Sequence, residues 1–211
     1  ENLNRDAEWI SGVGFSRKFV EHDLPNNPAK QQFLEGKDEI MSMVFMEARG
    51  SIAVELVKYP HWAKNRRGKY TLLLETPFLP PKAISIDSDP AWRVLFPSFH
   101  KPIHRVEALD SVSFVHRAKS TGQVLGILCR TADVLLEADF WCTALGCRGI
   151  GGAGPDCARV SFASPIPQWQ GSVVFVKDRE SRPTSMMDGR GSTCLSLLVK
   201  GIDLMLESAA A

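Results

Sequence analysis

The carboxylate with the clearest setting in this sequence is Glu55. It lies in Ser51–Tyr59, where Ile52, Val54 and Leu56 alternate with Ala53, Glu55 and Val57, as a half-buried strand requires. A strand carboxylate can ligate a metal, exchange a proton or pair with an arginine. The five cysteines (Cys129, Cys142, Cys147, Cys157, Cys194) are odd in number and lack CxxC spacing. They read as reduced, mostly buried thiols of a cytosolic protein. Cys129 lies on a strand entering a candidate pocket, but no histidine partner for a thiol nucleophile is identifiable. His100 and His104 have the i, i+4 spacing of helix-borne ligands, yet Pro102 between them disfavours a helix. His22, His61 and His116 read as surface or hydrogen-bonded histidines. Gly149–Gly154 matches G-x-G-x-x-G, but it follows a helix and precedes Pro155 and a strand, so no helix N-terminus would meet a pyrophosphate.

Those groups belong to a chain of 211 residues, 44% apolar, with 25 basic and 24 acidic side chains. Such a length buries roughly 70% of the unfolded surface, and this composition excludes disorder, collagen and coiled coil. The net charge of +1 gives no bulk attraction to nucleic acid or anionic lipid. The basic run Lys64–Lys69 between Trp62 and Tyr70 therefore reads as a solvated loop, and no nucleic-acid partner is expected. No run reaches the roughly 20 apolar residues of a membrane span, and Glu1–Asp6 does not read as a signal peptide. The expectation is a globular cytoplasmic protein.

Residues 7–15 read as a helix end closed by glycine, followed by strands at 15–21, 39–47 and 51–59. Arg49-Gly50 and Leu24–Pro28 carry turn chemistry. Prolines punctuate residues 61–122, leaving strands at 70–75 and 112–118 within an elaborated connection. The clearest helix is 132–145. Thr131 can cap it, Val134, Ala138, Trp141 and Leu145 form one apolar stripe, and Gly146 ends it. A short apolar strand at 124–129 precedes it. A glycine-rich turn (149–154) and strands at 158–163, 171–176 and 193–199 follow, for an order of β-α-β-β-β.

The two ends of the chain echo one another. Ala7-Glu8-Trp9-Ile10 with Gly14-Phe15 parallels Ala138-Asp139-Phe140-Trp141 with Gly146-Cys147, and residues 50–56 parallel 191–197. With strand 125–130, Asp133, Phe140-Trp141, Leu145-Gly146 and the Gly50-x-x-x-x-Glu55-Leu56 ending, the sequence resembles the vicinal oxygen chelate superfamily of glyoxalases, bleomycin-resistance proteins and extradiol dioxygenases. The resemblance implies an α+β fold of two βαβββ modules forming a curved mixed sheet around a concave pocket. The modules would occupy 1–60, lacking its first strand and most of its helix, and 123–205, with 61–122 as the connection.

The family binds a divalent metal such as Fe, Mn, Ni or Zn at the first and last strand of each module. Carried over, those positions are Glu55, an unseen residue in the missing strand, Gly126 and Ser196. One carboxylate does not hold a transition metal, so no metal or other cofactor is expected. The resemblance thus implies a glyoxalase-like protein binding a small organic molecule, by sequestration or metal-free chemistry. Glu55 is its candidate catalytic residue, and Ala53, Val57, Gly126, Cys129, Trp169, Phe175 and Ser196 are its candidate ligand-binding residues. Two alternatives stand: a metal-dependent lyase or ring-cleaving dioxygenase of the superfamily, and a non-enzymatic interaction protein with a filled pocket. A homodimer is expected, because an incomplete module exposes a sheet edge.

Overall fold

The computed structural model describes residues 3–61, 63–79, 82–86, 92, 94, 102–105, 111–162, 171–178 and 189–190. In chain order the elements are α1 (Leu3–Gly12), β1 (Ser16–Pro25), a 3-10 turn (Pro28–Phe33), β2 (Ile40–Glu47), β3 (Val54–Lys58), β4 (Ala63–Arg67), β5 (Tyr70–Thr76), β6 (Ile84–Ile86), β7 (Ile103–Arg105) and β8 (Val112–His116). There follow β9 (Gln123–Thr131), α2 (Val134–Thr143), β10 (Arg148–Gly154), β11 (Cys157–Phe162), β12 (Gly171–Lys177) and β13 (Gly189–Arg190). The fold is α+β. A mixed eight-stranded sheet has the order β10-β11-β12-β9-β5-β8-β7-β6, beside an antiparallel β1-β2-β3 sheet and the small β13-β4 pair.

The C-terminal unit shows β-α-β-β-β order, with β12 returning parallel to β9. Its helix starts two residues later than Thr131 implies: Asp133 is the cap, and its carboxylate accepts the Leu136 N–H at 3.0 Å. Val134 and Trp141 of the apolar stripe are buried, with Ala138 and Leu145 packed against the same core. One expectation is corrected here. The glycine-rich stretch is a strand, β10, whose Arg148 and Gly149 pair with Ser161 and Val160 of β11. Glycine carries no side chain, so the stretch has no alternation to reveal a strand held by backbone pairing alone. The expected strands at 158–163 and 171–176 form as β11 and β12, and the segment 193–199 lies outside the described residues.

Within 61–122 the expected strands form as β5 and β8, and β6 and β7 join them. These four strands repeat the pairing of the C-terminal unit, with β8 parallel to β5 and antiparallel to β7. An antiparallel junction of β5 with β9 joins the two halves into one sheet. The N-terminal residues form α1 and three strands, and no strand lines the outer edge of β3 among the described residues.

The pleat sorts side chains to two faces of the large sheet. On one, Leu74, Phe114, Val124, Ile127, Val173 and Phe175 pack with Trp141 of α2, Ala7 and Ile10 of α1, and Val44 and Met46 of β2. On the other, Leu73, Ile103, Val115, Leu128 and Val174 form a separate cluster with Trp92. The N-terminal unit is fastened to the first face by a close backbone approach. A Cβ on Gly14 (φ +111°) would lie 2.5 Å from the Thr121 carbonyl oxygen, and one on Gly122 (φ +81°) would strike the Val13 carbonyl. The buried Ser51 hydroxyl also accepts the Val124 N–H at 2.9 Å.

Candidate functional site

Charged groups gather on the face of the large sheet opposite α1 and α2. Glu75 follows Leu72-Leu73-Leu74 on β5 and lies directly across from Gln123 on β9. β5 continues its parallel pairing past β8, with the Arg117 N–H donating to the Thr76 carbonyl at 2.9 Å, and this brings Arg117 beside Glu75. The result is a buried carboxylate with both oxygens engaged. Gln123 Nε2 donates to Oε1 at 3.1 Å and the Arg117 guanidinium donates to Oε2 at 3.3 Å. The Glu75 side chain is only 6% exposed whereas that of Arg117 is 62% exposed, so the guanidinium still presents donors to solvent.

Beside this trio lies the apolar bed of Leu73, Val115, Leu128 and Val174. The nearly buried hydroxyls of Ser113 and Ser172 share the face, and Arg159 donates to Ser172 Oγ at 3.4 Å. These four side chains are fully buried with Trp92, so what this face offers a small molecule is the exposed Arg117 guanidinium held by the buried Glu75. The site fits a divalent metal poorly. The carboxylate is already neutralised by a guanidinium, which would oppose a cation, and no three His, Cys, Asp or Glu side chains come together among the described residues.

Most of the residues singled out in the sequence lie elsewhere. Glu55 and Val57 point to the exposed side of the small sheet, Glu55 in register with Phe45, and Ala53 is exposed just before β3. Gly126 is on the charged face, opposite Leu73, and is buried. Cys129 and Phe175 face the helix side. Phe175 is fully buried with its ring 5.6 Å from that of Trp141, so it packs the core instead of stacking on a ligand. Burial pushes the Cys129 thiol up to about 12, outweighing the pull of the nearby Lys69, and the thiol stays protonated. Trp169, Ser196 and His100 lie outside the described residues. His104 sits on a strand, its pKa lowered first by burial and then by the charge of His116. His61 instead joins a buried Asp38, 2.8 Å from ring Nδ1 to Oδ1.

Glu75, Arg117 and Gln123 were missed by the sequence reading. A carboxylate closing three leucines on a strand is a visible signal, because buried acids are rare without partners. Its partners are not visible, since they sit 42 and 48 residues away.

The arrangement of these units gives the chain a glyoxalase-like fold. Among solved structures it is similar to two variants of glyoxalase I from Zea mays, each at TM-score 0.51 and 12% identity, over 83% of this chain. This chain spans 64% and 65% of the length of those two proteins. No family model and no curated protein matches the sequence.

Proposed function

We propose that this glyoxalase-like chain binds a small organic molecule beside Glu75 and Arg117 of the large sheet, without the metal centre of its fold family. The observation that carries the reading is the buried Glu75 held by Arg117 and Gln123 where β5 meets β9. Held carboxylates beside an apolar bed fix orientation, and Arg117 supplies an exposed fork of donors. Sequestration, or proton transfer at Glu75, needs no group beyond these. The test is calorimetric screening of small aromatic and carboxylic compounds against the whole chain and Glu75→Gln. A compound bound by the parent and lost in Glu75→Gln, but kept in Glu55→Gln, supports the reading. Equal binding by all three contradicts it. Plasma mass spectrometry of chelator-free protein tests the second clause: near-stoichiometric Fe, Mn, Ni or Zn would return the metal-dependent lyase or dioxygenase.

A second reading rests on Trp92, which is buried against Leu73, Leu128 and Val174 and so fills part of that face. It favours a non-enzymatic protein with a filled pocket, and Trp92→Ala distinguishes the two by creating binding that the parent lacks. The protein is further proposed to be a cytoplasmic homodimer. Exposed Leu135, Leu136 and Phe140 on α2 give it an apolar patch suited to a second copy. No helix among the described residues is long and apolar enough to cross a membrane.

A further inference from the structure

Two thiols outside the candidate site come together where α2 runs into β10. Cys142 stands in the last turn of α2 and is partly exposed, whereas Cys147 is buried. Cys147 belongs to the helix-side core and Cys142 packs against it. Gly146, at φ +66°, turns the chain back after the helix, and the Cys147 N–H donates to the Trp141 carbonyl at 3.0 Å. A carbonyl oxygen lies about 3 Å from the next residue's Cα at standard bond lengths. The Cα atoms of Cys142 and Cys147 are therefore no more than about 7 Å apart, a span that a disulfide can bridge.

The Cys142 sulfur points toward the same stretch. It lies 3.9 Å from where a Cβ on Gly149 would stand, so glycine leaves room beneath it. Gly149 is two residues from Cys147, and both positions face α2. Burial first, and then the charge of Cys142, push the Cys147 thiol up. β10 is an edge strand whose pairing is irregular on either side of Gly152, so a small adjustment there disturbs a single neighbouring strand. Cys129 has a different setting, since its cross-strand neighbours are Tyr70 and Phe175.

We propose that Cys142 and Cys147 form a reversible dithiol–disulfide pair, oxidised by a low-molecular-weight disulfide such as glutathione disulfide. The Cys142 thiolate attacks one sulfur of glutathione disulfide and expels one glutathione thiolate, leaving a mixed disulfide. Cys147 then gives up its proton, and its sulfur attacks that of Cys142 and expels the second glutathione thiolate. The protein loses two thiol hydrogens, and one glutathione disulfide becomes two glutathiones. This pair is independent of the ligand at Glu75.

The test is mass spectrometry of the whole native chain equilibrated in glutathione buffers of rising oxidised fraction, then alkylated and cut with trypsin. Both cysteines fall in one tryptic peptide, residues 131–148. In the oxidised buffers that peptide should be unalkylated and short of two hydrogen atoms, and dithiothreitol should return it to the doubly alkylated form. The internal disulfide should form at least about tenfold more readily in the native chain than in urea, because the fold holds the thiols together. Cys147→Ser should retain glutathione on Cys142, whereas Cys142→Ser should leave the buried Cys147 reduced. Cys142→Ser decides the matter where Cys147→Ser fails to fold. Double alkylation of the native chain in every buffer overturns the proposal, as does pairing of either cysteine with a different peptide. Equal yield in urea overturns it too, by making the pairing a property of the short loop and not of the fold.

Discussion

The two faces of the large sheet are built from the same strands, often from adjacent residues, and they do different work. Leu74, Ile127, Val173 and Phe175 point to the helices and carry no charge. Their neighbours Leu73, Leu128 and Val174 point the other way and share their face with Glu75 and Arg117. Both faces bury apolar area and contribute stability; only the second also sets charge, Glu75 held by Arg117, beside its buried cluster. Substitutions at Glu75 and at its apolar neighbours should therefore separate binding from folding.

The largest effect is expected at Phe175→Ala, where removing a ring fully buried against Trp141 should cost about 3–5 kcal/mol in chemical denaturation. Next comes Gly122→Ala. It forces a Cβ into the Val13 backbone at positive φ, and a loss of about 3 kcal/mol should appear in the same experiment. Ser51→Ala removes the buried hydroxyl that accepts the Val124 N–H and should cost about 1 kcal/mol. Alkaline titration sharpens the comparison on the covered side. Burial raises Tyr70 and Cys129 to about 12 each, so the folded state holds their protons more tightly than the unfolded state. The stability they contribute is complete below pH 9 and is lost as pH rises from there to about 12, which denaturation series across that range will show. The smallest effect belongs to Glu55→Gln. On the exposed side of another sheet it should change stability by less than about 0.5 kcal/mol and leave ligand affinity unaltered.

The legible parts of the fold were those with local signals. The stripe through Val134 and Trp141, the strands at 70–76, 112–116 and 171–177, and the helix end near Gly14 all follow from spacing and turn chemistry along a few residues. What escaped was non-local. The antiparallel junction of β5 with β9 decides which strands meet, and nothing in either segment names the other. Prolines between β5 and β8 made that stretch look like a connection, because they interrupt the chain between strands while the strands themselves remain short and apolar. The candidate site depended on the same junction. Gly126 lies on β9 opposite Leu73 of β5, while Glu55 was named by a motif whose strand lies in the small sheet.

Methyl NMR of the whole chain during titration with a compound found in the calorimetric screen tests the division of the faces most directly. The methyl signals of Leu73 and Val115, next to Glu75, should shift together and saturate with the calorimetric affinity, while those of Leu74, Ile127 and Val173 stay in place. Shifts confined to the second set, or spread equally over both, would contradict the assignment of binding to the Glu75 face.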